Sequence, residues 1–329
     1  MEEQCAFAET QAGIARCSCS DPIKLFVKDE PHSENKLAEK RFRLIHCLSL
    51  EDQVIDRLLF APWFGVELRD PLKVTQKAGW SPIPEGYRQL TSAFPLDLSV
   101  AIDKTAWDWT MPSWVVRAYL MAKYNQCTDK SERYWRLVLW RFQHVVGPCA
   151  LMQLPEGACF SQTDWGLMKS GWLLTLSMNS AAQAFQHAVA WRRMGRTDPV
   201  PYIWAMGDDL LIRSAMKGDF QYYLDALSTT GCIVKKLEFS REFSGFTFTE
   251  GEVEPLYPGK HKFILKHAAD EVVGEILLSY QLIYALSKNK WFAPWLKYAR
   301  EDLGFRAKLW AEGQIALSCY TELPDWVEY

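Results

Sequence analysis

Two adjacent aspartates, Asp208 and Asp209, lie between two apolar runs of the chain. Tyr202–Met206 and Leu210–Ile212 each have the composition of a buried strand. Gly207 tolerates a positive φ and Asp tolerates a left-handed backbone, so the residues between the runs predict a tight hairpin turn. Paired carboxylates at such a turn suit a hard divalent cation such as Mg²⁺. An ordinary hairpin turn with exposed acids would use the same residue types.

A second pair of acids, Asp103 and Asp108, follows a strand pattern that opens at Phe94 and continues through Ile102. Asp103 is expected at the end of this strand and Asp108 in the turn after it, before helical sequence over 113–147. The chain therefore predicts a second strand end that carries a carboxylate.

An uncharged polar stripe marks a predicted helix that begins after Ser170–Gly171 and ends before Gly195. Residues four apart lie on one helix face, and here that face carries the hydroxyl and amide side chains of Thr175, Asn179 and Gln183. A polar stripe is usually a solvent face. The lack of charge favours a buried hydrogen-bonding surface instead.

Basic residues cluster near the start of the chain, although the formal net charge is only −3 over 329 residues. That net charge excludes a protein coated in basic surface, so any nucleic-acid contact must come from a local cluster. Converging Arg and Lys side chains suit a triphosphate or backbone phosphates. The cluster consists of Lys28, Lys36, Lys40, Arg41 and Arg43. The alternative interpretation is a solvated charged loop with Glu30, Glu34 and Glu39 as partners.

The rest of the chain supplies the elements that would position these residues. Hydrophobic and aromatic contents of 49% and 14% are those of a globular protein. Residues 61–95 are rich in Pro, Gly and Trp, which predicts an irregular connection. Helices are predicted over 48–60, 220–227, 268–286 and 291–303, and strands over 232–237 and 243–248.

The nine cysteines are scattered without a regular framework, and neither a signal peptide nor an apolar run long enough to span a bilayer is visible. Reduced thiols of a cytosolic protein are the simplest interpretation. A zinc site at Cys17, Cys19, His46 and Cys47 is the alternative, but the spacing matches none of the standard ligand patterns.

The order of these motifs resembles the palm of the RNA-dependent RNA polymerases of positive-strand RNA viruses, with motifs F, A, B, C, D and E in sequence. The sobemovirus and polerovirus group is the most similar, on the run from Lys28 to Ile45 and on Asp108–Trp109. The resemblance covers residues 24–248. In chain order the motifs are the basic segment, Asp103-x₄-Asp108, Ser170–Gly171-x₃-Thr175-x₃-Asn179–Ser180, Gly207–Asp208–Asp209, Lys235–Lys236 and Phe243–Ser244–Gly245–Phe246.

This resemblance implies an α+β fold, a right-hand polymerase whose antiparallel palm sheet is flanked by helices. No template-guiding motif G is found before Lys28, so the amino-terminal fingers are expected to be incomplete, with RNA bound weakly and released after few additions. The implied domains are partial fingers with motif F over 1–93, palm with motif A over 94–115, a fingers insertion over 116–160, palm with motifs B to E over 161–248, and thumb over 249–329.

The resemblance also implies a role for each motif. Asp103, Asp208 and Asp209 would bind Mg²⁺, with Mn²⁺ as a substitute, for two-metal nucleotidyl transfer. Lys235 or Lys236 would be the general acid for pyrophosphate. The other implied sets are Lys28, Lys36, Arg41 and Arg43 for the triphosphate, Asp108, Thr175 and Asn179 for the ribose 2′-hydroxyl, and Ser170, Gly171, Phe243 and Ser244 for template and RNA.

The implied function is the copying of an RNA template from ribonucleoside triphosphates, for viral genome replication and transcription. Expected partners are template and nascent RNA and other viral replication proteins, such as a protease and a genome-linked protein. The expected location is the host cytoplasm, at membrane-associated replication complexes.

Two alternative functions remain open at this point. One is a reverse transcriptase, which shares the palm and the paired aspartates, and the other is a non-catalytic RNA-binding remnant of a polymerase. Asp108 and Asn179 can hydrogen-bond a 2′-hydroxyl, which disfavours a DNA-making enzyme. The intact aspartates disfavour the remnant.

Overall fold

The structure, a computed structural model, describes residues 20–213 and 220–304, apart from the side chains of Pro84 and Glu85. The chain divides into two compact units. Of the described residues, the first comprises 20–78, 102–210 and 220–237, and the second comprises 79–101, 211–213 and 238–304. None of the helices in the described ranges is long and apolar enough to cross a membrane.

Helices and strands are mixed along the chain, which confirms the predicted α+β class. The α-helices are α1 Glu34–Ala38, α2 Leu50–Glu67, α3 Tyr87–Ala93, α4 Trp107–Thr110, α5 Ser113–Gln126, α6 Glu132–Val146, α7 Thr175–Arg193, α8 Phe220–Ser228, α9 Pro258–Lys266, α10 Asp270–Ile283 and α11 Ala293–Glu301. The strands are β1 Ile23–Val27, β2 Leu44–Cys47, β3 Ser99–Lys104, β4 Leu151–Gln153, β5 Cys159–Ser161, β6 Ile203–Met206, β7 Asp209–Arg213, β8 Val234–Glu238, β9 Glu242–Phe243, β10 Phe246–Phe248 and β11 Val253–Pro255.

One sheet of the first unit, with strand order β2-β1-β4-β5, carries the basic segment between two of its strands. Strands β1 and β2 pair antiparallel, with Leu25 opposite His46, and β4 pairs parallel to β1, with Ile23 opposite Met152. Alternate residues of β1 face the core, so Ile23 and Leu25 are buried while Lys24 is exposed. The sheet therefore holds both ends of the basic segment.

A second sheet has strand order β6-β7-β3-β8 and carries the predicted hairpin. Gly207 and Asp208 alone connect β6 to β7, a length that joins antiparallel neighbours. On the far side, the backbone N–H of Thr105 donates to the carbonyl of Ile233 at 2.8 Å. Of these strands the first unit contains β6, Ile102–Lys104 of β3, Asp209–Leu210 of β7 and Val234–Leu237 of β8.

Helix α7 buries polar side chains that find partners inside the first unit. Asn179, Ser180 and Gln183 are each at most 4% exposed. Ser177 Oγ donates to Glu67 Oε1 at 2.9 Å and lies 2.8 Å from the Tyr119 hydroxyl. The predicted buried hydrogen-bonding surface is therefore confirmed.

A buried ion pair joins α2 to α6. The guanidinium group of Arg141 is fully buried and donates to Asp56 from Nε at 2.5 Å and from Nη2 at 3.0 Å. Asp52, one turn earlier on α2, lies 3.3 Å from Nη1. Removing one partner of such a pair leaves an uncompensated buried charge, so the pairing holds the two helices in register.

The second unit has its own apolar core and a small sheet of order β11-β10-β9. Its helical cluster consists of Leu265, Val273, Leu277, Tyr280, Tyr284, Phe292 and Ala299. The indole of Trp80 lies 5.7 Å from the ring of Phe243 and 6.1 Å from that of Phe248.

The prediction of an irregular connection over 61–95 is wrong at both ends of the range, although residues 68–81 are irregular as predicted. Helix α2 continues through Pro62 to Glu67, and α3 forms later in the same range. Phe60 and Trp63 are buried, and this packing outweighs the helix-breaking tendency of the proline between them. Tertiary contacts therefore decide the helix length here.

Three further boundaries differ from those predicted. The strand expected to open at Phe94 begins at Ser99, because a 3₁₀ turn follows Pro95. The helical range 113–147 is two helices separated at 127–131. The strand predicted over 243–248 is a hairpin, because Ser244 and Gly245 have φ of 51° and 79°.

Candidate active site

The turn between β6 and β7 presents the first acids of the site. Gly207 has φ 67°, and Asp209 is already the first residue of β7. The backbone N–H of Gly207 donates to Ser180 Oγ of α7 at 2.9 Å, which ties the turn to the helix. Asp208 and Asp209 are both exposed, as expected for acids that bind a ligand.

Asp103 lies near the end of β3, the strand beside β7 in the sheet. Its carboxylate accepts a hydrogen bond from Lys235 Nζ of β8 at 2.5 Å. The two side chains are 44% and 62% exposed, and ion pairs of that exposure contribute about 0–1 kcal/mol. The pairing therefore leaves Asp103 able to exchange Lys235 for another cation. Strand alternation directs the other candidate, Lys236, to the opposite face.

The chemistry of these side chains fits Mg²⁺, which takes one or two carboxylates and completes its shell with water and substrate phosphates. Among residues 20–213 and 220–304, no group of three or more His, Cys, Asp or Glu is arranged to hold an ion by itself. The metal role of Asp103, Asp208 and Asp209 therefore stays a prediction. Of the alternative zinc ligands, Cys17 and Cys19 lie outside the described residues.

A buried ammonium group, Lys104, lies on the inner side of the strand end. It is 3% exposed, and Nζ donates to Gln183 and, at 2.6 Å, to Gln186. Burial lowers the pKa of Lys104 to about 8, and the negative charge of Asp208 opposes part of that shift. Asp208 in the hairpin turn therefore acts electrostatically on Lys104 at the end of β3.

Asp108 and Asn179, the predicted ribose-reading pair, are hydrogen-bonded to each other. Asn179 Nδ2 donates to Asp108 Oδ1 at 3.1 Å, and Asn179 Oδ1 accepts from Trp107 Nε1 at 2.9 Å. Burial raises the pKa of Asp108. The charge of Asp208 raises this pKa further, and the hydrogen bond from Asn179 and the charge of Arg43 lower it. The third predicted member, Thr175, donates its hydroxyl to the carbonyl of Lys169 at 2.6 Å.

The Ser170–Gly171 loop packs against both the β2 strand and the turn after β3. The backbone N–H of His46 donates to Ser170 Oγ at 3.3 Å, and that of Met168 donates to the carbonyl of Asp108 at 2.7 Å. A Cβ added to Gly171 would lie 2.0 Å from the carbonyl oxygen of His46. Only glycine allows this approach of the loop to the strand.

The basic segment forms ion pairs of the kind that the charged-loop interpretation expects. Glu30 lies 3.3 Å from Lys28 and 3.6 Å from Arg43, and Glu39 pairs with Arg41. Lys36 and Lys40 are exposed, in and just after α1. Arg43 is two-thirds exposed, yet its charge lowers the pKa of Asp108. The structure therefore brings Arg43 towards the ribose-reading pair.

Phe243 and Ser244, the predicted RNA contacts of the last motif, lie in the second unit. Phe243 is 2% exposed and belongs to that unit's core, beside Trp80. Ser244 lies at the turn between β9 and β10. Their RNA-binding role stays a prediction, and the burial of Phe243 gives its ring a packing role as well.

Sequence reasoning missed Lys104 and Lys169 near the site, and it named His46 only as a possible zinc ligand. Strand alternation contains the signal for Lys104, because the residue after an exposed strand-end acid must face inward. Lys169 is fully buried and donates to Gln162 at 2.5 Å, and burial lowers its pKa to about 7. For Lys169 and His46 the partners are loop residues, and no local pattern predicts them.

The close approach at Gly171 generates a prediction. Replacing Gly171→Ala should lower the free energy of unfolding by about 1–3 kcal/mol, because the added methyl group overpacks the contact with β2. Denaturant unfolding measures this loss. The matched control is Gly65→Ala in α2, where nothing lies within 4 Å, and it should stabilise by about 0.4–1 kcal/mol. Equal effects of the two variants would contradict the packing described.

Comparison with known proteins supports the resemblance to viral RNA polymerases that the motifs predict. A family model described as viral RNA-directed RNA-polymerase matches residues 150–260, which include every predicted site residue from Ser170 to Ser244. Asp103, Asp108 and the basic segment lie outside the matched range.

Three viral relatives are similar to this chain. Replicase polyprotein P2AB of Southern bean mosaic virus is 30% identical over 219 residues, 61% of this chain and 20% of the relative. The RNA-directed RNA polymerase of Mushroom bacilliform virus is 27% identical over 209 residues, 62% of this chain and 50% of the relative. Protein P1-P2 of Potato leafroll virus is 29% identical over 230 residues, 62% of this chain and 20% of the relative.

The chain thus spans a fifth to a half of the length of these relatives. The range matched by the family model includes the hairpin that carries Asp208. The predicted resemblance to the viral RNA-directed RNA polymerases of the sobemovirus and polerovirus group is therefore confirmed.

Proposed function

We propose that this chain is an RNA-directed RNA polymerase that extends RNA on an RNA template from ribonucleoside triphosphates, for replication and transcription of a viral genome. One observation carries the proposal: a single compact unit contains the strand-end carboxylate of Asp103, the turn acid Asp208 and the hydrogen-bonded pair of Asp108 and Asn179. The family match over 150–260 supports it independently.

The proposed architecture is a right hand of fingers, palm and thumb. The β6-β7-β3-β8 sheet and helix α7 would form the palm, and the helices from α9 onward would form the thumb. The basic segment between β1 and β2 would belong to the fingers. The α+β class and the order of the motifs support this assignment.

Asp103 and Asp208 would hold Mg²⁺ or Mn²⁺, with Asp209 beside them. Bound divalent ions would lower the pKa of the attacking 3′-hydroxyl and neutralise the triphosphate. The chain's own contribution is to hold one carboxylate near the end of β3 and the other in the turn next to β7, and to fix that turn by its hydrogen bond to Ser180. Rigid elements position such groups better than loops do.

The proposed reaction joins the 3′-oxygen of the growing RNA to the α-phosphorus of the nucleotide and breaks the bond to the β-phosphate. Pyrophosphate leaves with the electron pair of that bond and needs a proton. We propose that Lys235, whose Nζ donates to Asp103, gives that proton to the leaving oxygen. Lys236 is the alternative donor.

The triphosphate would be bound by Lys28, Lys36, Arg41 and Arg43. Glu30 and Glu39 pair with three of these side chains in the structure, through contacts that are largely exposed on the basic side. The Arg41–Glu39 pair is exposed on both sides and contributes little to stability, so exchange of that carboxylate for phosphate is energetically accessible, whereas Glu30 is only 9% exposed. Phosphate oxygens also offer Arg the bidentate geometry that it prefers.

The ribose 2′-hydroxyl would be read by Asp108 and Asn179. The indole N–H of Trp107 donates to the side-chain carbonyl oxygen of Asn179, and this hydrogen bond fixes the orientation of the amide. A hydroxyl-reading pair disfavours a reverse transcriptase, the second candidate function, because a DNA-making enzyme must exclude that hydroxyl. Thr175 would contribute indirectly, by holding the backbone of the Ser170–Gly171 loop.

The proposed partners are template and nascent RNA. Ser170, Gly171 and Ser244 would contact the RNA, and Phe243 would have a supporting role. Two relatives are named as a replicase polyprotein and as protein P1-P2, which supports a link to other viral replication proteins. We place the proposed activity in the host cytoplasm, at membrane-associated replication complexes.

The function is tested by incorporation of labelled nucleotide on a homopolymeric RNA template with Mg²⁺ or Mn²⁺. Asp208→Ala should lower the turnover by at least about 10²-fold, because it removes charge stabilisation at the reacting phosphate. The exposed control Asp198→Ala should leave turnover unchanged. Template-dependent synthesis that survives in Asp208→Ala would sink the proposed site, and no synthesis by the unmodified chain would favour the non-catalytic remnant.

Sugar selection gives a second prediction. Asn179→Ala should lower the preference for ribonucleotide over deoxyribonucleotide by about tenfold, the value of one hydrogen bond of roughly 1.4 kcal/mol. The ratio of kcat/KM for the two nucleotides measures it, and Asn125→Ala, at an exposed asparagine of α5, is the control. An unchanged ratio would show that the 2′-hydroxyl is read elsewhere.

A further inference from the structure

His46 lies in β2, just past the basic segment, and makes three contacts with one loop. It is 2% exposed. Its backbone N–H donates to Ser170 Oγ at 3.3 Å, and its ring Nδ1 lies 3.4 Å from the same oxygen. Its carbonyl oxygen is the atom that Gly171 approaches so closely that a Cβ would lie at 2.0 Å. The Ser170–Gly171 loop is thus seated on this residue.

His46 also contacts the turn that carries Asp108. The imidazole centroid lies 6.0 Å from the ring of Trp109, the next residue. The same turn receives a hydrogen bond from the loop, because the N–H of Met168 donates to the carbonyl of Asp108. The His46 imidazole therefore lies where β2, the Ser170–Gly171 loop and α4, which carries Asp108, converge.

The ring is poorly suited to a purely structural role. Among the described residues its Nε2 is buried without a hydrogen-bond partner. Burial and the neighbouring Lys169 lower the pKa of His46 to about 4, so the ring is neutral at neutral pH and carries one donor and one acceptor. A buried polar atom without a partner destabilises a fold by about 1–3 kcal/mol. An apolar side chain would fill the position without this loss of stability.

We propose that His46 is a positioning residue for nucleotide addition, which seats the Ser170–Gly171 loop against β2, the strand that directly follows Arg43. His46 would thereby fix the loop relative to the triphosphate-binding segment. The hydrogen bond from the Met168 N–H to the Asp108 carbonyl would in turn fix the residues that read the ribose. This inference rests on the proposed polymerase function. Misplacement of reacting groups by about 1 Å lowers a rate by up to about 10²-fold, so the effect is measurable.

The test compares His46→Leu, Ser170→Ala and the double variant in single-nucleotide addition. Each single change should lower kcat/KM for nucleotide by about tenfold or more. The double variant should be no slower than Ser170→Ala, because both changes remove the same contact. His46→Asn, which keeps a polar atom near Nδ1, should recover part of the loss. Additive losses in the double variant, or no recovery in His46→Asn, would overturn the inference.

His187 supplies the matched control. It is 1% exposed, but its Nδ1 lies 2.7 Å from the Tyr223 hydroxyl and its Nε2 lies 3.1 Å from the Pro201 carbonyl, so both nitrogens have partners. His187→Leu should lower the Tm, whereas His46→Leu should leave the Tm unchanged or raise it. An equal fall of the Tm in both variants would assign His46 a structural role and overturn the inference.

Hydrogen exchange of the amides over 166–174 separates this inference from the proposed function. Exchange should be faster in His46→Leu than in the unmodified chain or in His187→Leu, whether or not the chain incorporates nucleotide. Unchanged exchange in an active chain would overturn the inference and leave the proposed function standing. Absence of synthesis by the unmodified chain would overturn the proposed function and with it the role in nucleotide addition, whereas faster exchange in His46→Leu would still show that His46 seats the loop.

Discussion

Lys104 places a buried ammonium group directly behind the exposed carboxylate of Asp103, and that charge must be satisfied inside the first unit. Gln183 and Gln186 of α7 supply the oxygens, and the ring of Trp107 lies 4.8 Å from Nζ. A buried charge without such partners would cost several kcal/mol. The end of β3 therefore cannot move away from α7, and the Asp103 carboxylate is held with it.

The same helix holds the other acidic segments of the candidate site. Asn179 donates to Asp108 in the turn after β3, and Ser180 accepts from Gly207 in the turn between β6 and β7. Three separate stretches of chain are thus positioned from one helix. The basic segment is held differently, by the pairing of β1 with β2 and by ion pairs of Lys28 and Arg43 with Glu30, whose side chain is only 9% exposed.

Local signals in the sequence predicted the parts of the site that depend on local chemistry. The turn at Gly207 and the buried polar face of α7 follow from residue types and spacing within a few residues. The contacts that place these parts together join distant positions: Lys104 and Gln186 are 82 residues apart, and His46 and Ser170 are 124 apart. No periodicity in the sequence predicts contacts between residues so far apart. Packing around Pro62 likewise decided the length of α2 against its local signal.

The central claim is that Asp103 and Asp208 together form a divalent-ion site that is completed by the nucleotide. Titration of Mn²⁺ into the chain, followed by electron paramagnetic resonance with and without a ribonucleoside triphosphate, tests it directly. We expect Mn²⁺ binding that strengthens with the triphosphate and is lost in both Asp103→Ala and Asp208→Ala. Equal Mn²⁺ affinity in the unmodified chain and in the variant that lacks both carboxylates would contradict it.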